Sequence, residues 1–418
     1  MTTTEDIVRP LALTARLLIA CWPHLLLIGC LGIIARALLL DLAVRIGLEN
    51  PLGGMIVLSL VVLAKLVVLV MMFAVLRPHL PALEALRRSA AGAEADRAGR
   101  PRDRILTITA AAILPFFAYY AAWGFLGDTV REYSRRALAA APLGEGVDIF
   151  ALLQSRGVLL SIAACWLVRF AAKRMNARSA HPYWRLLIVA ADASWIFIGL
   201  YALDIWKDDL IRWIGAGAAL PDFSLDMAWP VLTAHAAETF VPVEFQPRPL
   251  GEQAQGLFFY ALLPLIWLVM AAIINGYELS AASAPAAAPS RHSTWRKWLS
   301  DFAAHFLGGY RSRYAPVWTC LKLTLGAGLA TLITFVIAYR LIGWIGAWLW
   351  LLATRAIGAH DLQTWQVLAD VISVFIGGPS DLDGGILLDA MRVALLAAVL
   401  EHAVASQRGA AAQAATAR

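Results

Sequence analysis

From Gly54 to Arg77 the chain reads GMIVLSLVVLAKLVVLVMMFAVLR, an apolar run with Lys65 near its middle. Hydrocarbon offers an ammonium group none of the solvation that water does. Lys65 must therefore meet a carboxylate, face water enclosed by protein, or be carried as a neutral amine. The residues one helical turn away, Val61, Val62, Val68 and Leu69, are apolar, so a partner has to come from another helix. Asp192, in LLIVAADASWIFIGL, lies at a similar depth and is flanked by Ala190, Ala191, Ala193 and Ser194. Such small residues let a second helix approach closely. The expected midplane charge pair is Lys65 with Asp192, made directly or through water. A second intramembrane pair, Asp389 and Arg392, stands three residues apart on one helix face, where each neutralises the other. Ions in such places either fix helix register or line a path for protons, ions or anionic headgroups.

Catalytic patterns are sparse. There is no HExxH, GxSxG, P-loop or GxGxxG motif. His235 and Glu238 in HAAETF suit one helix face as metal ligands, but no third ligand accompanies them. Asp208 and Asp209 in KDD, and Asp381 and Asp383 in DLD, flank apolar segments, as the acidic residues of external lipid-linked sugar transferases do. An aspartate doublet at a helix end is ordinarily a cap or a solvated turn. Cys21, Cys30, Cys165 and Cys320 all fall within apolar runs without CxxC spacing, so neither a disulfide framework nor a zinc site is indicated. LLIGC, ending at Cys30, imitates a lipoprotein box, but the chain after it stays apolar, so the first segment reads as a span. No metal or cofactor is implied.

The elements that hold these residues follow from composition. Sixty per cent of the 418 residues are hydrophobic and 15% charged, too apolar for a soluble multidomain protein. A bilayer core of about 30 Å takes about 20 apolar helical residues. Runs of that kind occupy residues 13–40, 54–76, 105–127, 150–172, 186–206, 256–275, 317–350 and 386–405. The expectation is an all-α, polytopic integral membrane protein with eight transmembrane helices arranged in hairpins, flanked by interfacial amphipathic helices. Lys65 then lies about 16 Å below the outer end of its span, beyond the reach of a snorkelling side chain. Arg36 and Arg340, near outer ends, and Arg169 and Lys322, near inner ends, are placed to snorkel to headgroups. Glu401 and His402 fall close to the cytoplasmic end of the last span.

Charge gives the orientation. Segments 1–16, 77–104, 173–185, 276–315 and 406–418 together hold 20 basic and 8 acidic residues, whereas 44–53, 128–149 with Arg156, 207–255 and 351–385 hold 9 and 16. By the positive-inside rule both termini are cytoplasmic, and the net charge of +6 is a topology signal that implies no nucleic acid. Trp123, Trp206, Trp213, Trp344, Trp348 and Trp350 would ring the outer interface, and Trp184, Trp295, Trp298 and Trp318 the inner one.

Three outgoing helices look overlong: Leu11 to about Gly47, the arm through DIWKDDLIRWIG, and the arm through WIGAWLWLLATRAIG. They must tilt, bend near Gly215, Gly343 or Gly346, or project beyond the membrane. Within the linker at 276–315, Trp295, Trp298, Phe302 and Phe306, with Leu299, form the apolar face of an interfacial helix, and Arg296 and Lys297 suit anionic headgroups. In the external segment 351–385, Leu362, Trp365, Leu368, Ile372 and Phe375 repeat the scheme. A basic cytoplasmic loop at 77–104 and a proline-rich external loop at 207–255 complete a single transmembrane domain spanning 1–418.

These features favour a bacterial inner-membrane protein of transport or channel type, acting on a small solute, an ion or a lipid-related molecule. The abundance of alanine and the presence of only five lysines suit a GC-rich bacterial gene. A membrane subunit or assembly scaffold is the alternative, and an external lipid or glycan enzyme the third. The partners implied are the lipid bilayer and other membrane proteins or further copies of the chain.

Overall fold

The computed structural model describes residues 2–85, 125–140, 157–179, 182–217, 250–281, 329–378 and 385–416, with positions 109, 112, 113, 116, 117 and 120. Among these residues the chain is almost wholly helical. The helices are α1 (Thr2–Glu49), α2 (Pro51–Leu76), α3 (Phe125–Ala140), α4 (Gly157–Ser179), α5 (Pro182–Gly217), α6 (Leu250–Ala281), α7 (Leu329–Ile357), α8 (Leu362–Ile376) and α9 (Ile386–Thr416). The expected interfacial helix containing Trp295, Trp298, Phe302 and Phe306 lies outside the described residues, as do His235, Glu238, Asp381 and Asp383.

Among the described residues, four helical stretches are long and apolar enough to cross a membrane, where the whole sequence predicts eight spans: Ile7–Glu49, Pro51–His79, Tyr183–Leu200 and Leu329–Ile357. A shorter apolar stretch, Tyr260–Asn275, sits within α6. Charge keeps α9 out of that set, since Asp389, Arg392 and Glu401 interrupt it. Yet α9 is among the most enclosed helices, with nearly every residue from Ile386 to Val404 buried or largely so. A helix surrounded by protein can carry ions that a lipid-facing one cannot.

The frame is the α1–α2 hairpin, with α9 packed along both of its arms. Asn50 closes the hairpin as N-cap of α2, its side chain accepting from the amides of Leu52 and Gly53, with Pro51 at the first helical position. Gly47 and Gly54 face each other there, and a Cβ on Gly54 would fall 2.6 Å from the Cα of Gly47. Further along α1, a Cβ on Gly29 would lie 2.5 Å from Cγ2 of Ile386, and one on Gly32 would lie 2.5 Å from Cγ2 of Val68. Two glycines one turn apart thus let α9 and α2 pack directly on the α1 backbone.

The outer faces are apolar. On α1, Ile19, Trp22, Leu27, Leu31, Ile34, Leu38 and Leu42 are exposed. On α7, Leu329, Ile333, Ile337, Leu341, Trp344, Trp348 and Leu352 form an exposed stripe at helical spacing. Apolar surfaces this long would be a liability in water and are the normal exterior of a helix in lipid.

The overlong arms are present: α1 runs for 48 residues, α5 for 36 and α7 for 29. Helix therefore occupies 207–217 and 351–357, at the start of the segments read as external loops. The helix α7 passes through Gly343 and Gly346, and Gly346 serves close packing, since a Cβ there would fall 2.5 Å from Leu388. Gly358, at φ 80°, ends α7, and Asp361 caps α8 by accepting from the amide of Thr364. At the far end of α8, Trp350 donates to the carbonyl of Gly377 over 2.6 Å, pinning the α7–α8 hairpin.

Candidate functional site

Lys65 sits midway along α2, and its Nζ donates to Oδ2 of Asp389 on α9 over 2.6 Å. Oδ1 of the same carboxylate lies 3.5 Å from Nη1 of Arg392, one turn further along α9. Each of the three side chains retains less than a fifth of its surface, at 19%, 16% and 18%. The guanidinium carbon of Arg392 stands 5.6 Å from the ring centre of Tyr339 on α7. The space beside Nη2 is bordered by Gly343, where even a Cβ would stay 3.9 Å away. Helices α2, α7 and α9 thus converge on a cluster of one carboxylate and two cations.

The glycine packing in α1 sets this geometry. Val68, seated on Gly32, is one turn from Lys65, and Ile386, seated on Gly29, is one turn before Asp389. Close approach at those two points brings α2 and α9 to the spacing at which an ammonium and a carboxylate can touch. The GCLG stretch at 29–32 was the sequence signal for this approach.

Lys65 therefore pairs with Asp389, not with the expected Asp192. Asp192 accepts instead from Trp195 Nε1 at 3.0 Å, one turn along α5, and forms an ion pair with Arg169 of α4. The reason is rotational. Ser194 faces α2, its hydroxyl 2.9 Å from that of Ser59. At 3.6 residues per turn, Asp192 is about 200° around the helix from Ser194 and points towards α4. Lys65 is also six residues beyond Ser59, about 9 Å along α2. Asp389 and Arg392 do face one another, but over the longer distance, because the carboxylate is drawn to Lys65.

Arginines expected to snorkel have protein partners. Arg36 pairs with Glu132 of α3, while Arg136 of α3 reaches Asp41 at 2.7 Å and Glu132 at 2.9 Å. Tyr133 on the same helix is buried against Gly47 and Gly54, and burial pushes its phenol above the ordinary range. Arg340 lies 3.6 Å over the ring of Tyr260, and its Nε donates to the Tyr260 carbonyl at 2.9 Å.

One functional-looking contact had no clear sequence signal. Glu401, on α9, is buried, with 6% of its surface exposed. Its two oxygens accept from the backbone amides of Ala82 at 2.5 Å and Leu83 at 2.9 Å. These amides open the helical turn at 81–85, and a helix start has no partners of its own for them. Glu401 serves as an N-cap supplied from the far end of the chain. Among the described residues, no three His, Cys, Asp or Glu side chains gather where a metal ion could sit.

The chain matches no protein-family model, and no curated protein or solved structure is similar to it.

Proposed function

We propose that this is a bacterial inner-membrane protein of transport or channel type, with eight spans and both termini in the cytoplasm. It moves or gates a small solute, an ion or a lipid-related molecule past the Lys65, Asp389 and Arg392 cluster. The observation that carries this reading is the burial of two cations and one carboxylate on the enclosed faces of α2 and α9. An ion pair in such a place is a poor way to gain stability, because desolvation offsets most of the Coulomb attraction. Register along α1, α2 and α9 is already supported by close glycine contacts. Ions kept in spite of that cost are the ordinary signature of a conduction or binding path in a membrane protein. The basic excess in segments assigned to the cytoplasm supports the orientation.

The test is flux. Full-length protein reconstituted into vesicles is given proton, chloride and phosphate gradients in turn, with pH- and anion-sensitive dyes inside. Wild type should dissipate at least one gradient, and K65M should abolish that flux while D192N leaves it intact. Absence of flux for every ion, together with a stoichiometric membrane partner that K65M still retains, would favour the scaffold reading instead.

A further inference from the structure

We infer that Arg392 is the recognition residue for an anionic group, a carboxylate or a phosphate, that approaches it where α2, α7 and α9 meet beside Gly343. This deepens the transport reading and rests on it for the ligand's passage, though not for its binding.

The charges of the cluster are shared unequally. Asp389 gives its short contact to Lys65, at 2.6 Å, and faces Arg392 only at 3.5 Å, beyond the usual range for a good N–H···O bond. The Nε of Arg392 is buried and has no hydrogen-bond acceptor among the described residues. A guanidinium carries five N–H donors in a fixed fork and cannot shed its proton to escape the cost of burial. Leaving a buried guanidinium incompletely met in a low-dielectric setting is expensive, and an anionic group accepting from its outer nitrogens would lower that cost. Tyr339 presents its ring to Arg392, with the ring centre 5.6 Å from the guanidinium carbon.

Shape favours the same conclusion. Gly343 leaves the flank of Nη2 without a side chain, and the 18% of Arg392 that stays accessible gives an incoming group a line of approach. The planar fork matches two oxygens of a carboxylate or a phosphate at once, which a point charge such as Lys65 does not. In this arrangement Asp389 is engaged by Lys65, and Arg392 is left to bind the ligand. The same chemistry is presented by a free anion and by the headgroup of an acidic lipid.

Both sources can be tested on the full-length protein. In neutral detergent, thermal stability is titrated with inorganic phosphate and with acetate, using sodium chloride at equal ionic strength as the control. In parallel, protein in nanodiscs of phosphatidylcholine containing phosphatidylglycerol is examined by native mass spectrometry for retained anionic lipid. Saturable stabilisation by phosphate or acetate, weakened at least about tenfold in R392Q, supports a free-anion site. Retention of phosphatidylglycerol that is lost in R392Q supports a headgroup site. Should R392Q fail to fold, R392K keeps the charge without the fork, and its anion affinity should still fall several-fold. Anion response equal in wild type and R392K or R392Q, or no response beyond ionic strength, overturns the inference even if flux through K65-dependent vesicles is normal. Arg392-dependent binding without flux overturns only the transport reading.

Discussion

Lys65 and Asp389 are 324 residues apart in sequence and 2.6 Å apart in the fold. Because Asp389 also faces Arg392, the two partners are unequal. In D389N both cations lose their carboxylate, whereas in K65M the carboxylate is released to Arg392. Removing one member of a buried pair costs about 3–5 kcal/mol, and D389N should fall at the upper end with K65M clearly milder. Thermal unfolding in detergent, followed by tryptophan fluorescence, measures the difference. Equal losses would show that Asp389 is not shared.

Gly32 should be intolerant of any side chain. A Cβ there meets Val68 at 2.5 Å, and a β-branched valine cannot rotate out of the way at low cost. G32V should push α2 off α1, with an overpacking penalty of about 1–3 kcal/mol, and should lengthen the Lys65–Asp389 contact as well. A cysteine pair introduced across α2 and α9 would report the separation by crosslinking yield. An unchanged yield in G32V would mean that α1 does not set the spacing of the ion pair.

Glu401 joins the end of α9 to the turn after α2. E401A leaves the amides of Ala82 and Leu83 without acceptors, at a cost of about 1–3 kcal/mol for a buried donor. Amide hydrogen exchange around residues 81–85 should accelerate in E401A and only partly in E401Q, which keeps one oxygen. Exchange that stays at the wild-type rate in both variants would contradict the capping role.

Asp361 gives α8 a pH dependence. Its side-chain and backbone hydrogen bonds to Thr364 hold the carboxyl below its ordinary value. A depressed folded-state pKa contributes stability above the unfolded value of about 3.8, and that stability is lost as pH falls through the folded value. Below pH 4 the Thr364 amide should therefore exchange faster relative to its neighbours. D361N, which caps without titrating, should show no such step.

The sequence alone determined the class of the molecule. Long apolar runs, the partition of basic and acidic residues, and the overlong arms of α1, α5 and α7 depend only on local composition and the 3.6-residue period. So does the apolar stripe of Leu362, Trp365, Leu368, Ile372 and Phe375, because helical spacing is short-range. It was also clear that Lys65 needed a partner from another helix, since its own neighbours are all apolar.

Only the tertiary structure decided which partner. Asp192 and Asp389 are both acidic residues within apolar helices, and depth counted from the span ends favours Asp192, since Asp389 is only three residues inside the last run. What separates them is rotation, with Ser194 turned to Ser59 and Asp192 thereby turned to Arg169, and helix adjacency, with Gly29 and Gly32 seating α9 and α2 on one arm. Glu401 was unreadable for the same reason, since its value lies in two amides more than 300 residues away. Hydropathy is a sum over neighbours in the chain and survives any rearrangement of the helices. An ion pair is a relation between two faces, and a rotation of about 100°, one residue's worth, destroys it.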